Sequence, residues 1–173
     1  VIDGYTAQSQ MEIDAEKRQI RDWVNNQRFV NHAENFCNYF IIQFDKPFED
    51  YGLWDKGAYL KFKAGSKVQA KAASSYISPE QAEITLNREL GADKTLEQTR
   101  KRGHDVWQKL LSRIKVEGGT EEQLRTFYSC LFRANLFSRK FYEIREDGTP
   151  YYYSPYDGKI YDGYMFTDNG FWD

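Results

Sequence analysis

The stretch "KVQAKAASSYISPEQAEITLNREL", residues 67–90, changes its hydrophobic period halfway along, and that change decides the fold class. In its first half Val68, Ala70 and Ala72 fall on one side and Lys67, Gln69 and Lys71 on the other, the two-residue period of a half-solvated strand. In its second half Ser78 is an N-cap, Pro79 takes the first helical position, and Gln81 stands where a capping box needs it. Gly91 is placed to end that helix. The spacing predicts a strand handing over to a helix, so a sheet is expected upstream and helices downstream.

Upstream, "NFCNYFIIQFDKPF" (35–48) sets Phe36, Phe40, Ile42 and Phe44 against Cys37, Tyr39, Ile41 and Gln43, and Pro47 closes the run. Two apolar faces suit a strand in the middle of a sandwich rather than at its rim. "AYLKFKAG" (58–65) alternates more plainly, with Leu60 and Phe62 opposite Tyr59, Lys61 and Lys63, and Gly52, Gly57 and Gly65 punctuate these strands. An antiparallel sheet, half solvated, fits best. The acidic residues Asp3, Glu12, Asp14 and Glu16 read as a solvated loop.

Downstream, "TLEQTRKRGHDVWQKLLSRI" (95–114) repeats the capping arrangement with Thr95 and Gln98, over a stripe of Leu96, Gly103, Trp107, Leu110 and Ile114. "GGTEEQLRTFYSCLFRANLFSRKF" (118–141) does so again with Thr120 and Gln123. Here Leu124, Phe127, Tyr128, Leu131, Ala134 and Asn135 share a side that Phe132 and Leu136 widen. This predicts a helix running to Phe141 and buried over most of its surface. "REDGTP" (145–150) is a turn, and "YYYSPYDGKIYDGYMF" (151–166) reads as short strands joined at Asp157-Gly158 and Asp162-Gly163. No further helix stands ready to cover residues 124–137, so the chain reads as a segment of something longer.

Composition narrows the function. The 24 basic and 26 acidic residues nearly cancel to a net charge of −2, with no basic block to serve as a nucleic-acid footprint. No apolar run reaches membrane-span length. Cys37 and Cys130 make no disulfide framework and read as buried thiols, and neither His32 nor His104 sits at a metal-ligand spacing. G-x-S-x-G, Walker, G-x-G-x-x-G and C-x-x-C motifs are absent. Aromatic content is 17%, with 13 Tyr and 12 Phe, a surplus that suits half-exposed surfaces for sugars, peptides or protein partners. The terminal "TDNGFWD" (167–173) puts Asp168, Trp172 and Asp173 together. An indole stacks on the C–H face of a pyranose while a carboxylate accepts from two neighbouring hydroxyls. On this local chemistry alone a plain hairpin core outweighs a sugar site.

The longer runs add a resemblance. "GGTEEQLRTFYSCLFRANLFSRKFYE" (118–143) followed by "YYYSPYDGKIYDGYMFTDNGFWD" (151–173) closely resembles the glycoside hydrolase family 92 α-mannosidases. "WVNNQRFVNHAENFCNYFIIQFDKPFEDYG" (23–52) is similar to late strands of that family's N-terminal β-sandwich, and residues 75–120 are similar to its helical linker. The resemblance implies an α+β multidomain fold. Residues 1–77 would be the C-terminal part of the antiparallel β-sandwich, 78–119 the linker, and 120–173 the first helix and hairpin of an (α/α)6 barrel. It further implies release of terminal mannose from α-mannosides of N-glycan or mannan type, α-1,2 favoured, by an inverting mechanism assisted by calcium. Trp172 and Asp173 match the family's tryptophan-aspartate pair and are implied to bind the cleaved mannose. The family's catalytic acid, base and calcium ligands belong to later segments, so no residue here is assigned a catalytic or metal-ligating role, and the 173-residue piece alone is expected to be inactive. A periplasmic or secreted location follows from the same resemblance; oligomeric state does not. The alternative is a non-catalytic carbohydrate-binding β-sandwich module.

Overall fold

The computed structural model describes residues 9–25, 33–54, 57–92 and 95–167. These fall into two compact units, one holding the described residues up to Ala92 together with 142–164, the other 95–141 together with 165–167.

The first unit is built on a four-stranded antiparallel sheet in the order β1-β2-β3-β6. Its strands are β1 (Ser9–Asp14), β2 (Gln19–Val24), β3 (Asn38–Phe44) and β6 (Ala70–Ser75). β3 is central, as its two apolar faces predict. The register aligns Arg21, Ile41 and Ala73 across one face and Asp22, Phe40 and Ser74 across the other. β4 (Asp50–Trp54) and β5 (Gly57–Lys61) pair with each other, and Phe44, Phe48 and Phe62 cluster beside them with ring centroids 5.4–5.7 Å apart. The acidic residues Glu12 and Asp14, expected in a loop, lie on β1. Met11 and Ile13 alternate with them there, and Asp14 accepts the Lys17 N–H at 2.9 Å to start the turn into β2.

α1 (Pro79–Leu90) lies on this sheet. Ala82 and Leu86, one turn apart, meet Ile41 and Ala73, and all but Ala73 are 1% exposed or less. Through this buried stripe α1, the first helix of the expected linker over 78–119, packs into the first unit. Arg21 reaches Glu83 at 2.7 Å, and Lys71 donates to the Leu90 carbonyl at 2.6 Å, closing the helix C-terminus. Ser78 caps as expected by accepting the Gln81 N–H, but the Gln81 side chain is turned into the protein rather than back to the cap. A three-stranded antiparallel sheet completes the unit: β8 (Glu143–Ile144), β9 (Pro150–Tyr153) and β10 (Ile160–Asp162), in the order β10-β9-β8. The turns expected at 145–150 and at Asp157-Gly158 are present.

In the second unit α2 (Leu96–Leu111) and α3 (Glu121–Ala134) both carry the expected capping boxes, at Thr95/Gln98 and Thr120/Gln123. Trp107 packs on Phe132 at 4.4 Å, and Tyr128 donates to the Ile114 carbonyl at 3.1 Å. α3 stops well before Phe141, because Asn135 ends it and its side-chain amide donates back to the Leu131 carbonyl at 2.8 Å. The expected burial of α3 is not met among the described residues, where neither helix has a buried residue. Cys130 is accordingly exposed rather than buried, Cys37 is half-buried, and both are free thiols. β7 (Arg139–Lys140) and β11 (Phe166–Thr167) pair antiparallel. No helix among the described residues is long and apolar enough to cross a membrane.

Candidate functional site

Trp172 and Asp173 lie outside the described residues, as do Asp168 and His32. What is described is the strand pair leading toward them. β7 and β11 set Thr167 opposite Arg139 and Phe166 opposite Lys140, and the Phe141 N–H donates to the Met165 carbonyl at 2.9 Å. The Arg139 guanidinium stands 5.9 Å from the Phe137 ring centre. The last described residues before the tryptophan-aspartate pair are thus fixed by a backbone ladder and bordered by two cationic side chains.

Glycosidase chemistry draws attention to buried carboxyl groups whose pKa is raised, and Asp22 and Glu143 are two such groups among the described residues. Asp22, in the middle of β2, is 4% exposed, and neither oxygen makes a full hydrogen bond. Loss of solvation pushes its pKa up to about 6, against a smaller opposing pull from the backbone of Trp23 and Gln10. Glu143 accepts the Tyr76 N–H at 2.8 Å through Oε1, while Oε2 is buried without a partner. Burial raises its pKa too, opposed by hydrogen bonds from Ser75 and the Tyr76 backbone. A raised pKa alone does not make a catalytic acid. An inverting glycosidase needs two carboxyl groups facing each other across room for a water, roughly 6.5–9.5 Å apart. Asp22 is flanked across the ladder by Met11 and Phe40, and Glu143 is tied to the strand-to-helix corner at Tyr76, so both serve the fold.

Close by, a hollow of about 540 Å³ is lined by Gln81, Ile84, Arg145, Glu146, Asp147 and Tyr151. Its Gln81, Tyr151 and Arg145 side chains are committed internally. Tyr151 donates to Gln81 Oε1 at 2.8 Å, and the Gln81 amide donates to the Ile144 carbonyl at 2.9 Å and to Thr85 at 3.2 Å. Arg145 stacks over the Tyr151 ring at 4.0 Å and bridges to Asp162 at 2.6 Å. Sequence reasoning missed this network, having read Gln81 as a capping residue. It also missed Asp22, whose signal was a lone charge between Ile20 and Val24 on one strand face.

His104 sits exposed on α2 beside Asp105, 3.5 Å away. Among the described residues no three His, Cys, Asp or Glu side chains gather to hold a metal ion. The calcium implied by the resemblance therefore has no ligand set among the described residues.

Residues 81–173 match the family model described as the glycosyl hydrolase family 92 catalytic domain. Among solved structures, the family GH92 inverting mannosidase BT2199 from Bacteroides thetaiotaomicron is 44% identical over 94% of this chain, with a TM-score of 0.86. The family GH92 alpha-mannosidase BT3965 from the same organism shares the fold at 19% identity and a TM-score of 0.67, over 91% of the chain. The chain spans 24% and 23% of the lengths of these two proteins. No curated protein matches it. With the family model covering more than half of its residues, the chain belongs to glycoside hydrolase family 92.

Proposed function

We propose that the protein carrying this chain releases terminal mannose from α-mannosides, α-1,2 linkages favoured, with inversion at the anomeric carbon and with calcium as cofactor. The observation that carries the proposal is the 44% identity to an inverting mannosidase across 94% of the chain. In this reading residues 1–77 are the end of the β-sandwich, 78–119 the linker and 120–173 the start of an (α/α)6 barrel. Trp172 stacks on the C–H face of the terminal mannose, and Asp173 accepts bonds from two adjacent hydroxyls, a charge-assisted pairing stronger than a neutral one. These contacts hold the ring; they move no proton. A general acid for the leaving oxygen and a general base for water are both needed. Neither Asp22 nor Glu143 fits either role, and the family resemblance implies that the acid, the base and the calcium ligands belong to later segments. The 173-residue chain by itself then binds weakly and does not turn over. Action on external glycans of N-glycan or mannan type suits a periplasmic or secreted protein.

The test is release of free mannose by the intact protein from α-1,2-, α-1,3- and α-1,6-linked mannobiose, with calcium and then with a chelator. Fastest release from the α-1,2 disaccharide, abolished by the chelator and restored by calcium, is the expected outcome. No release from any of the three refutes the activity, and undiminished release in chelator refutes the cofactor.

A further inference from the structure

The β9–β10 hairpin divides its tyrosines between two faces. Tyr151 and Tyr153 are buried, and both hydroxyls are bonded inward, to Gln81 at 2.8 Å and to Asn35 at 2.9 Å. That face performs the structural task. On the opposite face Tyr152 and Tyr161 are direct cross-strand partners, their rings stacked at 5.8 Å and inclined by 30°. Tyr161 remains 41% exposed, and Tyr156 in the connecting turn is 81% exposed.

Between these rings in sequence stands Asp157. Tyr161 donates its hydroxyl to Asp157 Oδ2 at 2.5 Å, and the Lys159 N–H donates to Oδ1 at 3.3 Å. The Ser154 side chain also bonds this carboxylate, which is thereby held in place; of about four lone-pair positions on an ionised carboxylate, about one is left for a ligand. The turn beneath is anchored too. Asn35 donates to the Gly158 carbonyl at 2.9 Å, and the Ala33 N–H donates to the Pro155 carbonyl at 2.8 Å. Gly158 has φ +72°, and a Cβ there would collide with the Asn35 side chain. An anchored turn, a fixed carboxylate and exposed ring area coincide.

We propose that the Tyr152–Tyr161 face and Asp157 form a glycan-holding surface that takes one pyranose unit of a mannose-rich chain. The exposed ring stacks on the C–H face of the sugar, and Asp157 accepts from one of its hydroxyls. A negative carboxylate at the centre disfavours anionic ligands and suits a neutral polyol. The choice of mannose rests on the family reading above; the surface itself rests on the hairpin geometry.

The test measures binding rather than turnover, by affinity electrophoresis of the intact protein in the cold, in gels containing polymeric α-mannan, with dextran gels as the control. Tyr161→Ala is expected to weaken mannan retention about fivefold or more, Asp157→Asn by a similar factor, and Tyr161→Phe, which keeps the ring, by about twofold. Dextran mobility should not change. Asp157→Asn keeps the shape of the turn and serves where the alanine variant melts early. Wild-type mannan affinity in both Tyr161→Ala and Asp157→Asn overturns the surface, even if the protein releases mannose. Weakened affinity in both supports it, even if the protein releases none.

Discussion

Replacing Asp22 by Asn should stabilise the protein at neutral pH, and the gain should disappear in acid. Asp22 is 4% exposed, among the apolar side chains on its face of the sheet, and its pKa is lifted from 3.8 to about 6. A carboxyl whose folded-state pKa is raised favours folding fully only below its unfolded value, where it is protonated in both states. As pH climbs from 3.8 to about 6 the unfolded chain ionises first, and stability is lost across that window. A displacement of about two pH units, at about 1.4 kcal/mol each, gives a cost of about 3 kcal/mol above pH 6. Asn removes the charge while keeping the shape, so Asp22→Asn should gain up to about that amount near pH 7 and nearly nothing near pH 4. Urea unfolding of both proteins at several pH values, followed by circular dichroism, reads the difference directly. Taking the difference cancels the exposed carboxylates, such as Asp157 and Asp147, whose lowered pKa values act in the opposite direction. Glu143, which burial raises as well, is present in both proteins and cancels in the same way. A gain that is the same at pH 4 and pH 7, or a loss at both, would refute the reasoning.

Three further outcomes follow from particular contacts. Leu86→Ala empties the position where α1 meets Ile41 and should cost about 2–5 kcal/mol in the same unfolding assay. Tyr151→Phe leaves Gln81 Oε1 without its 2.8 Å donor in a buried setting and should cost about 1–3 kcal/mol, with little change in the far-ultraviolet spectrum. Asp173→Ala in the intact protein should weaken competitive inhibition by free mannose about tenfold while leaving the thermal midpoint within a degree or so.

The legible parts of this fold were those written in local chemistry. Ser78, Thr95 and Thr120 cap their helices where the sequence placed them, because a cap needs only its own residue and one three positions on. The alternation in residues 38–44 identified the central strand. What escaped depended on partners distant in sequence. Gln81 has the spacing of a capping box, yet its amide is worth more between Ile144 and Tyr151, and nothing local in the helix announces a strand over sixty residues away. Asn135 stood in the predicted apolar stripe but ends the helix, since its amide bonds the backbone it would otherwise extend. The apolar side of α3 was read as buried from composition, whereas burial depends on a covering layer that the helix does not itself encode. The tryptophan-aspartate pair, outside the described residues, is singled out by resemblance alone; its local chemistry points first to a hairpin core.

The most direct test of the mannosidase reading is the configuration of the first sugar released. Proton NMR of the intact protein acting on α-1,2-mannobiose with calcium, sampled before mutarotation, should show β-mannose appearing first and α-mannose growing only as the anomers equilibrate. Initial α-mannose would contradict inversion and call for a glycosyl-enzyme intermediate, and no mannose at all would contradict the hydrolase assignment itself.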